Sequence, residues 1–439
     1  MPILNLLCEE IETGNQKQFW YNNQTKEIFD YPVDDPHTIE DVDLSTKSKE
    51  GPFSRIKIQL GLSCNYECSY CSQRFVERAE ETSKADIDEF LTKFDKLSLS
   101  KTPRIEFWGG EPLVYWKTLK PLAESIRARV PTATFMIITN GSLLTPEIVL
   151  WLHELDFAVA ISHDGPAQSF RGPDPFDDNF DNIKMLVDLF LPKGKMSFNV
   201  MLHKGNTSRI AAINWFKDRF PEHQIQLSEM GLIDAYDDDG LDLLSLSRTD
   251  HFNIRRQLWS EMRFSKAVLE SCSNQAMAAI GQVKGTPVTG QKCGMDRPDI
   301  IAVDLKGNIN TCQNVSSVAI APNGKSHKIG HLDDIQSTRI ESATHWTKRP
   351  HCRTCPVLAF CSGSCMFLEG DNWYASCAGS FSDKITQLAI SVETRTGYVP
   401  VRILDESLPL ERQDIWGSIF DWDNIPEQPK KKVIPIKAA

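Results

Sequence analysis

The sequence predicts an α/β protein: a partial, TIM-like (β/α)6 barrel followed by a small cysteine-rich domain with little regular structure. Between about residues 53 and 230, short β-like runs alternate with longer amphipathic runs, which is the pattern of parallel β-α units. The 12 cysteines are unevenly distributed, because three lie within 64–71 and seven within 293–377. Together, these two observations divide the chain into a predicted barrel and a cysteine-rich region that follows it.

Six strands and five helices are expected in the barrel. The predicted strands are Arg55–Leu60, Arg104–Phe107, Thr134–Ile138, Phe157–Ile161, Lys195–Met201 and Gln224–Leu227. The helical patterns lie near 82–98, 116–129, 145–154, 178–190 and 208–219. Six units fit an incomplete barrel, whose chemistry is expected at the C-terminal ends of the strands.

The chain divides into five segments. These are an N-terminal extension (1–52), the barrel (53–230), a helical linker (231–290), the cysteine-rich domain (291–385) and a tail (386–439). In the extension, Phe19–Tyr21 and Ile28–Tyr31 flank the turn-like Asn22–Thr25, which predicts a β-hairpin with aromatic cross-strand pairs. We favour a lid on the barrel end for this hairpin over a flap that contacts substrate.

Composition excludes several classes of partner. The formal net charge of -11 argues against nucleic acid or an anionic membrane surface. No apolar run reaches the roughly 18 residues of a membrane span, and Cys8 lacks the preceding apolar core of a secretory signal, so it is interpreted as a buried thiol. We therefore expect a cytoplasmic protein. In reducing cytosol, a cysteine-dense chain is more often a metal binder than a disulfide framework.

The first cysteine motif follows the first predicted barrel strand. It reads Cys64-x3-Cys68-x2-Cys71. Three thiolates on a tight loop can bind three irons of a four-iron cluster and leave one iron without a protein ligand. An open position is what a metal needs to bind a substrate. Zinc is the alternative, but it needs four ligands, and no fourth lies nearby in sequence.

This motif and those after it resemble the radical SAM superfamily. An aromatic residue, here Tyr70, just before the third cysteine completes the similarity to that family's signature. Further matches end successive predicted strands in the family's order: Gly109-Gly110-Glu111-Pro112, Thr139-Asn140-Gly141 and Ser162-His163-Asp164-Gly165-Pro166. The two glycines are expected to let the backbone approach the ligand closely.

The resemblance implies S-adenosylmethionine as a cofactor that binds the open iron and is cleaved to a 5′-deoxyadenosyl radical. It implies that Tyr70 lies near the adenine and that Glu111 accepts bonds from the methionine ammonium. Ser162 and Asp164 are assigned to the ribose region.

Three residues near the later strand ends have weaker matches. Arg171 is assigned to the methionine carboxylate, and Asn199 to a further polar contact. His163 occupies a variable place in its motif and is interpreted as a core or surface histidine without a catalytic role.

The second cysteine array reads Cys293-x13-Gly307-x4-Cys312, then Cys352-x2-Cys355-x5-Cys361-x3-Cys365, then Cys377. From the spacing alone, structural zinc remains an alternative. The whole pattern resembles the SPASM extension of radical SAM enzymes, which implies two auxiliary four-iron clusters and three clusters in all. The resemblance assigns a distal cluster to Cys352, Cys355, Cys361 and Cys377, and a cluster nearer the radical site to Cys293, Cys312 and Cys365.

Two questions about this array stay open. The ligands could be partitioned the other way between the two clusters. Cys272 is either the fourth ligand of the nearer cluster or a buried structural thiol.

SPASM enzymes mostly act on peptides and proteins, so the preferred prediction is a maturase of a ribosomally made precursor peptide. An anaerobic sulfatase maturase ranks second, because such enzymes usually place an acid where this chain has Gln313, and an amide takes no proton at neutral pH. A non-catalytic electron carrier or zinc scaffold is the third hypothesis. Implied partners are an electron donor such as flavodoxin or ferredoxin and, unless the hairpin or the tail binds the leader peptide, a separate leader-binding protein.

Overall fold

A computed structural model describes residues 3–33, 47–225, 227–228, 231–276, 290–341 and 343–418. Its strands are β1 (Ile3–Glu9), β2 (Gln16–Asn22), β3 (Ile28–Phe29), β4 (Phe53–Gln59), β5 (Leu99–Trp108), β6 (Thr134–Thr139), β7 (Phe157–Ser162), β8 (Met196–Asn199), β9 (Leu227–Ser228), β10 (Ile300–Asp304), β11 (Asn308–Asn310), β12 (Lys328–His331) and β13 (Val399–Ile403). Its α-helices are α1 (Ile87–Phe94), α2 (Trp116–Arg129), α3 (Pro146–Glu154), α4 (Pro175–Asp178), α5 (Phe180–Phe190), α6 (Arg209–Arg219), α7 (Asp238–Leu244), α8 (Arg248–Phe264), α9 (Lys266–Ala276), α10 (Leu358–Cys361), α11 (Gly370–Thr396) and α12 (Leu410–Gln413).

The predicted partial barrel is confirmed. Strands β4 to β9 follow one another in a single sheet and pair in parallel, and helices cross between them at the five predicted places. The last strand is short, and Gln226 of the predicted Gln224–Leu227 lies outside the described residues. Parallel pairing sends the loops after β4, β5, β6 and β7 to one edge of the sheet, where chemistry in such barrels is found.

The cysteine-rich region adds strands to this sheet. β10 pairs in parallel with β4, and β11 and β12 continue the sheet in antiparallel order. The region also contains most of α11, which runs past the predicted boundary at 385. It therefore has more regular structure than expected, because β10 is an apolar run buried at every position and lacks the alternation that marks half-buried strands.

The hairpin is confirmed, with Trp20 opposite Phe29 and Tyr21 opposite Ile28. It belongs to a second sheet of order β13-β1-β2-β3. Alternate side chains of β1, including the buried Cys8, pack against α11 and the cysteine-rich region. The expected lid on the barrel end is therefore wrong: the apolar face of the hairpin sheet covers the cysteine-rich domain.

Asn23 at the hairpin turn fixes this docking. Its side-chain amide donates to the carbonyl oxygens of Arg353 and Cys355, each at 2.9 Å. The turn thus binds the backbone of the Cys352-x2-Cys355 loop. Through these two hydrogen bonds the N-terminal extension supports a loop of the cysteine-rich domain.

The linker and the tail are described in part. The predicted helical linker (231–290) contains α7, α8 and α9, and its residues 277–289 lie outside the described residues, as do 419–439 of the tail. The acidic run at 237–239 begins α7, where the Asp237 side chain accepts from the Gly240 N–H. Within the described ranges, no helix combines the length and apolar composition needed to cross a membrane.

A buried ion pair joins the barrel to the cysteine-rich domain. Arg209, the first residue of α6, pairs with Asp383 of α11, and both side chains are almost fully buried. Although burial acts in the opposite direction, Arg209 and Lys384 hold the pKa of Asp383 below its ordinary value. The pair links two segments that are far apart in sequence.

We expect Asp383→Asn to lower the free energy of unfolding by about 3–5 kcal/mol, because the buried Arg209 charge would lose the carboxylate with which it forms an ion pair. Denaturant unfolding followed by far-ultraviolet circular dichroism measures the change. Asp188→Asn is the control, since Asp188 pairs with Lys184 on the surface and should cost under about 1 kcal/mol. Equal losses in the two variants would contradict the structural role of the buried pair.

Candidate active site

A cavity of about 470 Å³ opens at the C-terminal ends of the barrel strands. The loop after β4, which carries Cys64, Cys68 and Cys71 and is called the cysteine loop below, forms one wall. The loops after β5, β6 and β7 form the others. Most of the residues that sequence analysis singled out line it: Cys64, Cys68, Tyr70, Cys71, Gly109, Gly110, Glu111, Pro112, Asn140, Ser162 and Arg171. Asp164 and Asn199 are not among its lining residues.

The glycine turn after β5 packs directly on the cysteine loop. The Gly110 N–H donates to the Gly61 carbonyl at 3.1 Å, and the Glu111 N–H donates to the Ser63 carbonyl at 3.0 Å. A Cβ at position 110 would lie 2.5 Å from the carbonyl oxygens of Leu62 and Ser63. Glycine is therefore required here by the protein's own backbone, and not only by a ligand as the sequence suggested.

Glu111 joins three parts of the cavity wall. Its carboxylate accepts from Leu113 N–H at 3.0 Å, from the Thr139 hydroxyl at 2.7 Å and from Asn140 N–H at 2.7 Å. Burial raises the pKa of Glu111 to about 6, although these three bonds act to lower it. No cationic side chain contributes to that pKa, so a positively charged ligand group at this carboxylate would be stabilised electrostatically.

Asp164 lies behind the cavity wall and organises it. It accepts from the Tyr70 hydroxyl and from Met201 N–H, and it forms an ion pair with Arg171 at 3.0 Å. The Arg171 guanidinium also lies 5.4 Å from the centre of the Tyr70 ring. Tyr70 and Arg171 therefore reach the cavity in orientations set by Asp164, which itself is fully buried.

The later strand ends differ in what they supply. Asn140 donates to the Asn65 side chain at 2.9 Å, which ties the cysteine loop to the loop after β6. The Asn199 carboxamide oxygen accepts from the Ser228 hydroxyl. His163 is fully buried between Phe176 and Trp215, so of the two alternatives, core or surface histidine, the structure shows the core position.

Backbone N–H groups point at several cysteine sulfurs. Cys64 Sγ, Cys71 Sγ and Cys312 Sγ each accept a hydrogen bond at 3.4 Å. In each case the donor is the backbone N–H of the residue two positions after that cysteine. Burial raises the pKa of Cys68 and Cys312 to about 11, so both thiols are protonated at neutral pH until a cation binds. Metal binding would supply that charge and release the protons.

Four later cysteines surround a small second cavity. Its wall contains Cys352, Cys355, Cys361 and Cys377, which we call the distal cysteine site, together with Arg412. Their charges interact with one another, since the ionised forms of Cys355, Cys361 and Cys377 each act to raise the Cys352 pKa. The four residues are the set that the sequence assigned to one cluster.

The remaining three cysteines of the array, Cys293, Cys312 and Cys365, form what we call the near cysteine site. Cys293 and Cys365 are linked electrostatically through Cys312. Cys272 lies elsewhere: it is buried against Leu258 and Ile390, and its charged neighbours are Arg209, Asp383 and Lys384.

The donor sets suit iron–sulfur clusters. In the ranges that the structure describes, no three His, Cys, Asp or Glu side chains are gathered tightly enough to hold a single metal ion. One zinc ion needs such a gathering, whereas in a four-iron cluster each thiolate binds a different iron. The thiolates and the N–H···S bonds are typical of such clusters.

Sequence analysis missed several residues of the cavity. Trp108 is the last residue of β5 and lines the wall. Because side chains alternate between the two faces of a strand, Trp108 lies on the same face as Glu106, and this pattern could have identified it. Asn314 comes from the cysteine-rich domain and accepts from Gln73 of the cysteine loop at 3.3 Å. No local signal predicts that contact, because the two residues meet only through the pairing of β10 with β4.

Comparisons with known proteins agree with this geometry. The Radical SAM superfamily matches residues 58–213. The radical SAM cyclopropyl synthase TigE of Paramaledivibacter caminithermalis is 26% identical over 206 residues, which is 43% of each chain. The serine-type anaerobic sulfatase-maturating enzyme of Klebsiella aerogenes is 23% identical over 340 residues, 72% of this chain and 80% of that relative.

Among solved structures, native anSMEcpe with bound AdoMet and Cp18Cys peptide has a TM-score of 0.53 and 18% identity, and the match covers 78% of this chain and 99% of that chain. This likeness shows a shared fold. Three of the curated relatives are matched over only 40% to 49% of their own length.

Glu111 provides a test of the cavity as an S-adenosylmethionine site. Because its pKa is about 6, lowering the pH from 7.5 to 5.5 should protonate most of the free carboxyl and weaken cofactor binding about fourfold. Glu111→Gln should bind more weakly at pH 7.5 and lose this pH dependence. Anaerobic equilibrium dialysis with labelled cofactor measures both effects.

The matched control is Glu67→Gln, since Glu67 lines the same cavity but is exposed. It should keep the parent pH dependence. An unchanged affinity and pH profile in Glu111→Gln would remove the ammonium contact from the site.

Proposed function

We propose that this chain is a maturase of a ribosomally made precursor peptide, on the premise that residues 58–213, which match the Radical SAM superfamily, form a radical SAM domain. Its substrate carbon would lose hydrogen to a 5′-deoxyadenosyl radical, and a crosslink or a related oxidative modification would follow. Relatives of known activity are radical SAM enzymes. The superfamily match supports S-adenosylmethionine and one four-iron cluster as cofactors.

The observation that carries the proposal is the composition of the 470 Å³ cavity. Three cysteines stand on one wall, and Glu111, Asn140 and Arg171 face them from successive strand ends. An electron carrier or a zinc scaffold needs the cysteines but has no use for a buried carboxylate and arginine facing them.

We assign Cys64, Cys68 and Cys71 to three irons of one cluster. Glu111 would hold the methionine ammonium, and Arg171, braced by Asp164, the methionine carboxylate. The chemistry that a bound cluster would supply here is the electron for cleavage of the C5′–S bond of the cofactor, and clusters held by the later cysteines would serve as acceptors for the electron released by substrate oxidation. The walls of the cavity would limit the access of water to the reacting carbon.

The residue after Cys312 is not a carboxylate base, which favours the precursor-peptide proposal over a reaction that needs such a base at this position. Gln313 stands there, and its side-chain oxygen accepts from Lys57 at 3.1 Å. The Gln59 amide also donates to the Gln313 carbonyl at 2.7 Å. An amide held in this way takes up no proton at neutral pH.

Formylglycine formation on a sulfatase is the second candidate. It is supported by the Klebsiella aerogenes relative, whose match extends through most of both chains. The two proposals predict different products. Anaerobic reactions with a serine- or cysteine-containing sulfatase peptide, and with a short precursor peptide encoded beside this gene, separate them by mass spectrometry.

Loss of two hydrogens from the serine of the sulfatase peptide would support the second candidate. A modified precursor peptide with an unchanged sulfatase peptide would support the first. If neither peptide changes while 5′-deoxyadenosine accumulates, both substrate proposals are wrong and the cofactor assignment stands.

We expect Cys64→Ala to abolish 5′-deoxyadenosine formation, because two thiolates do not hold the cluster in a reactive form. Chromatographic measurement of 5′-deoxyadenosine after anaerobic reconstitution and reduction checks this. Cys272→Ala is the control, since Cys272 is buried in a separate hydrophobic cluster with Leu258 and Ile390. Cofactor cleavage by the Cys64 variant at the parent rate would refute the assignment.

The auxiliary sites make a separate prediction. The reconstituted parent should contain about twelve irons with matching sulfide, as three four-iron clusters require. Cys361→Ala should lower the iron content by about a third, keep cofactor cleavage and block product formation. Cys272→Ala should keep the full iron content. Zinc without sulfide in the parent would favour the scaffold hypothesis, and a normal product from the Cys361 variant would exclude an electron-acceptor role.

A further inference from the structure

Arg412 contacts the distal cysteine site from outside both cysteine arrays. It belongs to α12, in the segment that follows β13, and lies 35 residues after Cys377. Its Nη2 donates to Cys377 Sγ at 3.1 Å. The guanidinium also lies 4.8 Å from the centre of the Phe381 ring, so the side chain is held by α11 on a second side.

The charge of Arg412 is balanced by sulfur. Among the described residues, no carboxylate lies within salt-bridge distance of its guanidinium, and neighbouring Glu411 pairs with Arg248 instead, at 3.8 Å. Burial acts to lower the pKa of Arg412, but Cys377 and Cys355 together raise it above its ordinary value. The Arg412 charge therefore faces cysteine sulfurs of the distal cysteine site.

Arg412 also separates two spaces. It lines the small cavity of the distal cysteine site and a larger outer cavity of about 580 Å³. Arg255 lines the outer cavity too, and burial together with the Arg412 charge lowers the pKa of Arg255 to about 9. Three arginines, Arg248, Arg255 and Arg412, therefore line the outer cavity, and among the hydrogen bonds of the described residues it is Arg412 that donates to a sulfur of the distal cysteine site.

We propose that Arg412 is a positioning residue that acts through Cys377: its hydrogen bond to the sulfur and its positive charge raise the reduction potential of the cluster bound at the distal cysteine site. Hydrogen bonds to the sulfurs and the local charge are what set cluster potentials. An added electron makes the cluster more negative, so the neighbouring cation stabilises the reduced form more than the oxidised form. The inference rests on the proposed function only in requiring an iron–sulfur cluster at this site.

The test is a redox titration of the reconstituted holoenzyme, followed by electron paramagnetic resonance. It compares the parent with Arg412→Met, which removes the charge and the donor, and with Arg412→Lys, which keeps both. The reduction equilibrium of one auxiliary cluster should become at least tenfold less favourable in Arg412→Met, a shift of about 59 mV for one electron. Arg412→Lys should restore most of it.

Arg248→Met is the matched control, because Arg248 lines the same outer cavity and pairs with the Glu411 carboxylate. It should change the equilibrium less than twofold. Loss of about four irons in Arg412→Met with full iron in Arg412→Lys would support the role as well, since the charged donor would then be needed to hold the cluster at this site.

An unchanged potential in Arg412→Met at full iron content would overturn the inference, as would equal iron loss in both Arg412 variants. Failure of the proposed function is distinguishable from these outcomes. In that case the parent itself would show no auxiliary cluster signal or would contain zinc.

Discussion

The backbone contact between Gly110 and the cysteine loop is the constraint on which the candidate site depends. β4 and β5 pair in parallel with Gln59 opposite Trp108, so the two loops that follow leave the sheet at the same level. The N–H of Gly110 then meets the Gly61 carbonyl at 3.1 Å, at a separation that no side chain at 110 would permit. The register of one strand pair thus sets the distance between the cysteines and the carboxylate of Glu111.

The same sheet brings the cysteine-rich domain to the cavity. β10 extends the barrel beside β4, and the Gln59 side chain holds the chain after Cys312 by bonds to the carbonyls of Gln313 and Val315. The domain is held from its other side by the N-terminal sheet and by the pair of Arg209 with Asp383. Both supports are remote in sequence from the cysteine array that they hold, so the relation between the two arrays depends on these long-range contacts.

How much the sequence predicts depends on the range of the interactions involved. The barrel strands and helices are local patterns, so alternation identified them, and residues at the strand ends met because parallel register requires it. The pairing of β1 with β13 and the bond from Gln73 to Asn314 join segments that share no local signal. Asp164 illustrates a subtler limit: its motif marked it as important, but only the structure shows that it acts on Tyr70 and Arg171 from behind the cavity wall.

The electrostatics of the thiols explain why spacing alone underdetermines these sites. Burial raises the pKa of Cys68 to about 11 and that of Cys355 to about 12, while one arginine beside each thiol acts in the opposite direction. These arginines are Arg171, from the loop after β7, and Arg412, from the segment after β13. The cysteine motifs determine which sulfurs converge, but the groups that favour their ionised forms come from elsewhere in the fold. A cysteine array transplanted without these arginines would keep its ligands and lose part of the charge that makes them thiolates.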